Sequence, residues 1–470
     1  MGRKPKNQSA NNAYQKHSKN TQDKNVFHSK VKMISRLRGM RDILPEEYVR
    51  WDEVINQARE LFKYYGFLET DIPVLESQSL YEKSTGKQTD VVSKEMFTFI
   101  DKDGDKVALR PEATPGVVRS YIEHGMFNRT FQPVKLLWIG NLFRREKPQL
   151  GRNRQFSQIN VEIFGEASAV ADAQLIMLGY QFLKELGVTT QVQVNSIGDS
   201  LDREEYVKKL IMYFRDRKIR AKLSVDDKKR LMKNPLRVLD SKDEGTQSAL
   251  EGAPQLIDNI NDEARNHFIK VLEYLDEFDI PYILNPFLVR GLDYYNRTVF
   301  EFWPMRGANS GQNADSAESV EEAISRQSAL GGGGRYDGLV EFMGGRPTPA
   351  CGFALGIDRI INRMKEENVP MSSAGQPDIF VAQLGEAAKR QAMTFFEELR
   401  KKGYKAQQNF VKDSLKAQLE MAHKIGAKLT LIIGQQELVD KTVIIRDMES
   451  GMQEVYAFSR VFEEIDKRLK

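Results

Sequence analysis

The stretch from Leu288 to Phe302, LVRGLDYYNRTVFEF, constrains the fold of this chain more than any other segment. Its last seven residues alternate as the residues of a β-strand do, with Phe300 on one face and Val299 and Glu301 on the other. The sequence therefore predicts a strand over the second half of this stretch.

The first half of the stretch carries more polar and aromatic groups than a simple core strand. Arg290, Asp293, Tyr294 and Tyr295 crowd into six positions. Gly291 can adopt a backbone conformation that most residues avoid, so we expect it to aim the neighbouring side chains at a ligand. Taken alone, the pattern also fits a tight turn that enters a strand, with the arginine solvated and the tyrosines half-buried.

Length and composition limit the class of protein. A chain of 470 residues is too long for one core and predicts two or three domains. No apolar run is long enough for a membrane span, which requires about 18 residues, and no apolar signal segment follows the N-terminus. The single cysteine, Cys351, indicates a reducing compartment, so we expect a cytoplasmic protein that does not bind membranes. The five histidines lack metal-ligand spacing, which argues against a zinc site.

The net charge of +4 is unevenly distributed. Residues 1–35 hold eight lysines and arginines and one acidic residue, so this segment carries +7 and the remaining chain carries −3. Its polar composition predicts a disordered basic arm, which either speeds encounter with RNA or only keeps the chain dissolved. Because the chain after residue 35 has a net negative charge, any nucleic acid must be bound there by local basic patches.

Hydrophobic periodicity and turn residues predict the elements that precede Leu288. Pro45 begins a helix that Gly66 ends, and Asp103-Gly104 is typical of a hairpin turn. The predicted strands are Thr70–Leu75, Met96–Ile100, Lys106–Leu109, Val134–Ile139, Ile159–Phe164 and 190–195. Helices are predicted at about 169–186 and, as an inserted helical module rich in charge, over about 200–280.

The C-terminal part has a different pattern. Residues 303–328 are polar and glycine-containing and are predicted to form a long surface loop, and a linker lies near 365–377. From 377 to 470, strands alternate with helices, which predicts a mostly parallel sheet. This segment has neither a phosphate loop nor a dinucleotide fingerprint, so a binding module is favoured over a second active site.

Two arginines from separate strands indicate a nucleotide site. Arg144 and Glu146 follow one predicted strand, and Arg359 follows a glycine-bearing run. Guanidinium groups bind phosphate oxygens in pairs and keep their charge. Glu146 could accept a hydrogen bond from an exocyclic amine, and Phe156 could stack on a base. Since the P-loop motif is missing, a P-loop fold is not the source of this site.

These residues lie in segments that resemble the class II aminoacyl-tRNA synthetases. Phe143–Glu146 (FRRE) resembles their motif 2, Gly352–Arg359 (GFALGIDR) resembles motif 3, and Tyr48–Leu75 resembles the weaker motif 1. Leu288–Phe302 and Leu330–Leu339 (LGGGGRYDGL) are similar to the two signature peptides of the histidyl-tRNA synthetase family. Further segments similar to that family are RPEAT at 110–114, NSIG at 195–198 and NPLRVLDSK at 234–242.

The resemblance implies an architecture and an activity. It implies an α+β catalytic domain at 36–365, with a mostly antiparallel sheet flanked by helices, and an α/β anticodon-binding domain at 377–470. It also implies a homodimeric ligase that converts histidine and ATP to histidyl-adenylate and pyrophosphate. Histidine would then pass to the 3′ end of tRNA(His), and Mg²⁺ would bind the ATP phosphates rather than a protein cage.

The resemblance also implies roles for individual residues. The expected catalytic groups are Arg290 and Arg144. The expected histidine-binding residues are Glu112, Thr114, Gln158, Glu162, Tyr294 and Tyr295. The expected ATP-binding residues are Arg144, Glu146, Phe156 and Arg359. The expected contacts with the tRNA acceptor end are Gln149, Arg152 and Arg154.

Two other functions were weighed against this one. A regulatory paralogue of ATP phosphoribosyltransferase has the same fold, but it lacks the C-terminal domain and departs from the signature peptides. A general RNA-binding module would not explain the arginines of the nucleotide site or the acidic body of the chain. The sequence therefore favours the synthetase.

Overall fold

The computed structural model describes residues 34–86, 89–147, 152–305, 329–370, 376–411 and 413–469. Most of the predicted basic arm and of the predicted loop at 303–328 lies outside these ranges, as does Gln149. Within the described ranges, no helix is both long and apolar enough to cross a membrane.

Eleven strands and eleven helices make up the larger part of the described chain, up to residue 370. The strands are β1 Leu68–Glu69, β2 Leu75–Ser77, β3 Phe97–Ile100, β4 Lys106–Leu109, β5 Val134–Phe143, β6 Gln155–Phe164, β7 Thr190–Ser196, β8 Tyr282–Leu284, β9 Asn296–Pro304, β10 Gly331–Arg335 and β11 Ala350–Gly356. The helices are α1 Pro45–Tyr64, α2 Gln78–Ser84, α3 Thr114–Glu123, α4 Ala169–Glu185, α5 Ser200–Tyr213, α6 Arg217–Lys222, α7 Val225–Lys233, α8 Glu244–Leu250, α9 Asp262–Glu277, α10 Leu339–Phe342 and α11 Ile357–Glu366.

Eight of these strands form one sheet in the order β1-β5-β6-β11-β10-β9-β7-β8. The pairs from β5 to β7 are antiparallel, and only the two edge pairs, β1 with β5 and β7 with β8, are parallel. The prediction of a mostly antiparallel catalytic sheet is confirmed. The predicted strand in the Leu288–Phe302 stretch is β9, near the middle of this sheet.

The main core lies between this sheet and the helices α1, α4 and α9. Phe62 of α1, Phe182 of α4 and Phe302 of β9 are fully buried in it. Gly179 of α4 allows the helix to approach the sheet, because a Cβ atom there would lie 2.2 Å from the Phe302 ring. The face of β9 that carries Phe300 therefore packs on the helices. The opposite face is left for the ligand-binding side of the sheet.

The strand predicted at Thr70–Leu75 is wrong. The structure has the two-residue β1 before it and β2 from Leu75 onward, with no strand between them. Pro73 has no amide hydrogen to donate to a sheet, and the amide of Ile72 donates to the side chain of Asp71 instead. Local hydrogen bonding therefore competes with pairing in this segment.

The strands predicted at 134–139 and 159–164 are correct in place but too short. They form a hairpin whose pairing continues from Gly140 with Gln158 to Phe143 with Gln155. Phe143, Phe156 and Gln158 are therefore strand residues. A rigid pair of strands carries the arginine-rich segment that follows Phe143.

The segment predicted as a helical module is α-helical in the structure, from α5 to α9. The last of these helices also belongs to the main core, because Phe268, Val271 and Leu275 of α9 are buried in the same cluster as α4. Residues of α5 to α8 pack instead in a cluster that includes Tyr295 and Tyr336. The inserted helices thus lie against the signature peptides.

The C-terminal part has its own sheet and core. Its elements are β12 Ile379–Gln383, α12 Glu386–Lys401, β13 Ala406–Gln408, α13 Leu415–Lys424, β14 Leu429–Ile433, α14 Gln435–Asp440, β15 Thr442–Asp447, β16 Gln453–Ala457 and α15 Val461–Leu469. The strand order is β13-β12-β14-β15-β16. The first three strands are parallel, while β15 and β16 are antiparallel, so the expectation of a mostly parallel sheet is corrected to a mixed one. The short helix α14 was not predicted.

Candidate active site

A cavity of about 620 Å³ opens on the central sheet, beside β6, β9, β10 and β11. Ten of the residues predicted for the site line it: Glu112, Thr114, Arg144, Glu146, Arg152, Phe156, Gln158, Arg290, Tyr295 and Arg359. Glu162, Tyr294 and Arg154 do not line it. Side chains separated by more than 240 residues in the sequence thus meet at one site.

The carboxylate of Glu162 is the most enclosed acidic group of the site. Thr114 Oγ1 donates to its Oε1 at 2.7 Å, and the Tyr336 hydroxyl donates to its Oε2. Burial raises the pKa of Glu162 to about 8, against the opposing effect of these two hydrogen bonds. Near neutral pH the group can therefore carry a proton, which allows it to donate as well as accept a hydrogen bond.

Gly352 of β11 forms the cavity wall above Glu162. A Cβ atom at this position would lie 1.6 Å from Glu162 Oε2 and 2.6 Å from the carbonyl oxygen of Val161. Only glycine therefore leaves room for the buried carboxylate so close to the cavity. This steric requirement accounts for the first glycine of the GFALGIDR segment.

Glu112 and Tyr294 form a second buried pair. The Tyr294 hydroxyl donates to Glu112 Oε1. Burial raises the pKa of the Glu112 carboxyl, and the positive charges of Arg144 and Arg290 oppose this rise. Tyr294 thus lies behind Glu112 and holds it, rather than forming the cavity wall itself.

Three further arginines, Arg144, Arg152 and Arg359, line the cavity. Arg144 Nε donates to the carbonyl oxygen of Pro111 at 2.8 Å, and its guanidinium lies 5.4 Å from the Phe156 ring. Arg359 Nη1 donates to the carbonyl oxygen of Ala329 at 2.6 Å. Burial lowers the pKa of Arg359, and the like charge of Arg152 lowers it further. Such a concentration of positive charge suits a polyanionic ligand.

Arg290 also lines the cavity. Its Nη1 donates to Glu301 Oε1, and its guanidinium lies 5.7 Å from the Tyr295 ring. The prediction that Gly291 adopts a backbone conformation that most residues avoid is wrong, because its φ is not positive. A Cβ atom at Gly291 would instead lie 2.5 Å from Arg237 Nη1. The glycine provides space for an arginine of the inserted helical segment.

Three functional candidates were not identified from the sequence: Tyr336, Glu301 and Arg237. Each lies in a segment already singled out, namely LGGGGRYDGL, the Leu288–Phe302 stretch and NPLRVLDSK. Their position in these peptides was the only indication of a functional role in the sequence. No local pattern indicates which side chain contacts Glu162 or Arg290.

The single arginine of the LGGGGRYDGL peptide, Arg335, has a structural position. Arg335 is fully buried and pairs with the buried Asp172 of α4. It also pairs with Asp337 at 3.0 Å and donates to the carbonyl oxygens of Glu166 and Ser168. Arg335 therefore joins β10 to α4 and does not line the cavity.

Comparison with known proteins decides the family. A family profile described as Histidyl-tRNA synthetase matches residues 39–360. The chain belongs to the histidyl-tRNA synthetase family. A second profile, described as Anticodon binding domain, matches residues 378–468. The histidyl-tRNA synthetase match covers the cavity, and the anticodon-binding match covers the C-terminal sheet.

Curated relatives of this family support the assignment over nearly the whole chain. The histidine–tRNA ligase of Dehalococcoides mccartyi is 41% identical over 433 residues, which cover 92% of this chain and 99% of the relative. That of Acetivibrio thermocellus is 39% identical and covers 88% of this chain and 95% of the relative.

A solved structure shares the fold at the level of the whole chain. The apo histidyl-tRNA synthetase of S. aureus has a TM-score of 0.73 and 32% identity, and covers 93% of this chain and all of that one. A Bacillus halodurans protein described as an ATP phosphoribosyltransferase regulatory subunit/histidyl-tRNA synthetase is more distant, with a TM-score of 0.58 and 22% identity. The regulatory paralogue is not favoured, because the family profile and the relatives above 30% identity are all described as histidine–tRNA ligases or histidyl-tRNA synthetases.

Proposed function

We propose that this protein activates histidine with ATP and transfers it to the 3′ end of tRNA(His). The observation that carries the proposal is the cavity, which is lined by Glu112 and by the arginines Arg144, Arg290 and Arg359. A carboxylate suits the ammonium group of an amino acid, and arginines suit the phosphates of ATP. The family relationship supports the same reaction.

The first step is an in-line displacement at the α-phosphorus of ATP. The carboxylate oxygen of histidine forms the new bond to phosphorus while the bond to pyrophosphate breaks. Arg290 and Arg144 would neutralise the charge that develops on the phosphate oxygens, and Arg359 would hold the γ-phosphate. Positioning and charge stabilisation supply most of the rate in such reactions.

Four residues would hold the ends of the two substrates. Phe156, already stacked with Arg144, would cover the adenine ring, and Glu146 would accept from its amino group. Glu112 and Gln158, both cavity residues, would bind the α-ammonium of histidine. Glu112 suits this role because its Oε2 atom is buried and accepts no hydrogen bond from the described residues.

The imidazole ring would be recognised by Glu162 and Tyr295. A neutral imidazole carries one donor and one acceptor nitrogen, and its charged form carries two donors. Glu162, fixed by Thr114 and Tyr336, can serve either form because its pKa of about 8 lies close to neutrality. Hydrogen-bonding sites of this kind reject analogues that lack the partner group by about 10⁴-fold or more.

Mg²⁺ would bind mainly through ATP. Among the described residues, no three His, Cys, Asp or Glu side chains are placed to hold a metal ion. Mg²⁺ commonly keeps its waters and binds substrate phosphates with one or two carboxylates, so this donor set fits it. When bound, it would neutralise charge on the phosphates, while the arginines position them.

The tRNA would approach over the segment that follows β5. Arg152 lines the cavity, and Arg154 Nη1 donates to the carbonyl oxygen of Arg38. These arginines, with Gln149, would contact the acceptor end, and residues 377–470 would contact the anticodon. Purified protein should exchange pyrophosphate into ATP only with histidine, and should charge tRNA(His) with radiolabelled histidine. Failure of both assays with folded protein would contradict the proposal.

We also propose that the protein is a cytoplasmic homodimer. Apolar side chains are exposed at Leu68 of β1, at Val74 and Leu75 where β2 begins, and at Phe99 and Ile100 of β3. Leu68, Val74 and Leu75 belong to the segment that resembles motif 1, and exposed apolar residues can mark a protein interface.

Substitution on that surface tests the dimer. Leu75→Asp should shift the sedimentation coefficient from dimer to monomer at micromolar concentration. Val455→Asp, at a more exposed apolar position on β16, is the control and should leave the dimer intact. A parent protein that sediments as a monomer, or equal effects of both variants, would refute the interface.

A further inference from the structure

Glu301 and Arg290 form an ion pair at the edge of the cavity. Arg290 Nη1 donates to Glu301 Oε1, and Trp303 Nε1 donates to Glu301 Oε2 at 3.0 Å. Both carboxylate oxygens are therefore occupied. The two charged side chains retain only 19% and 17% exposure, so the pair is largely shielded from water. Since Glu301 belongs to the central strand β9, its position is fixed by the sheet.

Glu301 leaves most of the Arg290 guanidinium available. A guanidinium has five N–H donors, and Glu301 accepts from one nitrogen. The Arg290 Nε atom is buried and makes no hydrogen bond with the described residues. The Tyr295 ring lies 5.7 Å from the guanidinium carbon. Glu301 thus holds the arginine through one of its three nitrogens.

Gly332 of β10 provides the space for this pair. A Cβ atom there would lie 2.9 Å from Glu301 Cγ and 3.0 Å from Arg290 Nη1. Gly332 is also the residue opposite Glu301 in the pairing of β9 with β10. The glycine run of the LGGGGRYDGL peptide therefore accommodates the ion pair as well as the cavity.

We propose that Glu301 is a positioning residue that fixes Arg290 for the activation step. An arginine side chain has large rotamer freedom, and its ordering in the reacting complex would otherwise reduce the rate. The pair supplies that order before the substrates bind. The inference rests on the role proposed above for Arg290, and no contact of Glu301 with substrate is required.

Kinetics of histidine-dependent pyrophosphate exchange test the proposal in four variants, which are compared with the parent and with Arg290→Ala. Glu301→Ala should lower kcat about 10- to 100-fold, because small displacements of a charged group cost that much. The KM for ATP should change much less. Glu301→Gln keeps an oxygen that accepts from Arg290 and should remain within about fivefold of the parent. Trp303→Phe removes only the second hydrogen bond of Glu301 and should have the smallest effect.

The fourth variant separates positioning from a structural role. If Glu301 acts through Arg290, the double variant Arg290→Ala/Glu301→Ala should be no slower than Arg290→Ala alone. Three results would overturn the proposal. The first is a double variant whose loss is the product of the two single losses. The others are a Glu301→Ala rate equal to or above that of the parent, and a Glu301→Gln rate as low as that of Glu301→Ala. A parent without histidine-dependent exchange would instead contradict the function itself, so the two failures are distinguishable.

Discussion

Arg290→Ala is expected to lower histidine-dependent pyrophosphate exchange about 1,000-fold, since the loss of one donor aimed at transition-state charge costs about 10²- to 10³-fold. Arg290 lines the cavity together with Glu112, Arg144 and Arg359, and Glu301 holds it there. Among the described residues, no other side chain forms an ion pair with Glu301. The measurement is initial-rate exchange at saturating histidine and ATP.

The same substitution also removes one partner of a buried ion pair. An unpaired Glu301 carboxylate would destabilise the folded state, so part of the loss could reflect unfolding. Arg290→Ala/Glu301→Gln is the matched control, because it removes the uncompensated charge. It should restore the melting temperature and leave exchange low. Recovery of exchange in the control would mean that Arg290 has no part in catalysis.

Arg335→Ala is expected to lower the free energy of unfolding by about 3–5 kcal/mol, the range for breaking a buried ion pair. Arg335 is fully buried, and its removal leaves Asp172 without its guanidinium partner. The Arg335 guanidinium holds the pKa of Asp172 below its usual value despite burial. Asp172 contacts His267 as well, at 3.3 Å, and one imidazole would not replace the arginine.

Urea unfolding followed by tryptophan fluorescence measures this effect. All three tryptophans, Trp51, Trp138 and Trp303, lie in the N-terminal part. Their fluorescence therefore does not report unfolding of the C-terminal sheet. Arg59→Ala is the control, since it removes a half-exposed partner of Glu69 and should cost less than about 1 kcal/mol. Equal effects of the two substitutions would show that the buried pair does not stabilise the fold.

The regular elements were predictable because their signals are local. Alternation over Asn296–Phe302, the Asp103-Gly104 turn and the helix start at Pro45 each depend on neighbouring residues, and all three are confirmed. The segment at Thr70–Leu75 was misassigned because its apolar pattern resembles a strand, while Pro73 and the side chain of Asp71 prevent pairing.

The partners of individual site residues could not be predicted, because these contacts join residues that are distant in the sequence. Tyr336 meets Glu162 across 174 positions, and Arg335 meets Asp172 across 163. Nothing near Gly291 in the sequence indicates that Arg237 occupies the space beside it. The identity of the site came from whole peptides that resemble a family, whereas the contacts within it came from the three-dimensional arrangement.

Amino-acid specificity of pyrophosphate exchange tests the central claim most directly. The purified protein would be assayed with each of the twenty amino acids and ATP, with Glu162→Gln measured in parallel. Histidine alone should support exchange, with other amino acids lower by about 10⁴-fold, and Glu162→Gln should raise the KM for histidine more than the KM for ATP. Exchange with another amino acid at a comparable rate, or none with histidine, would contradict the account.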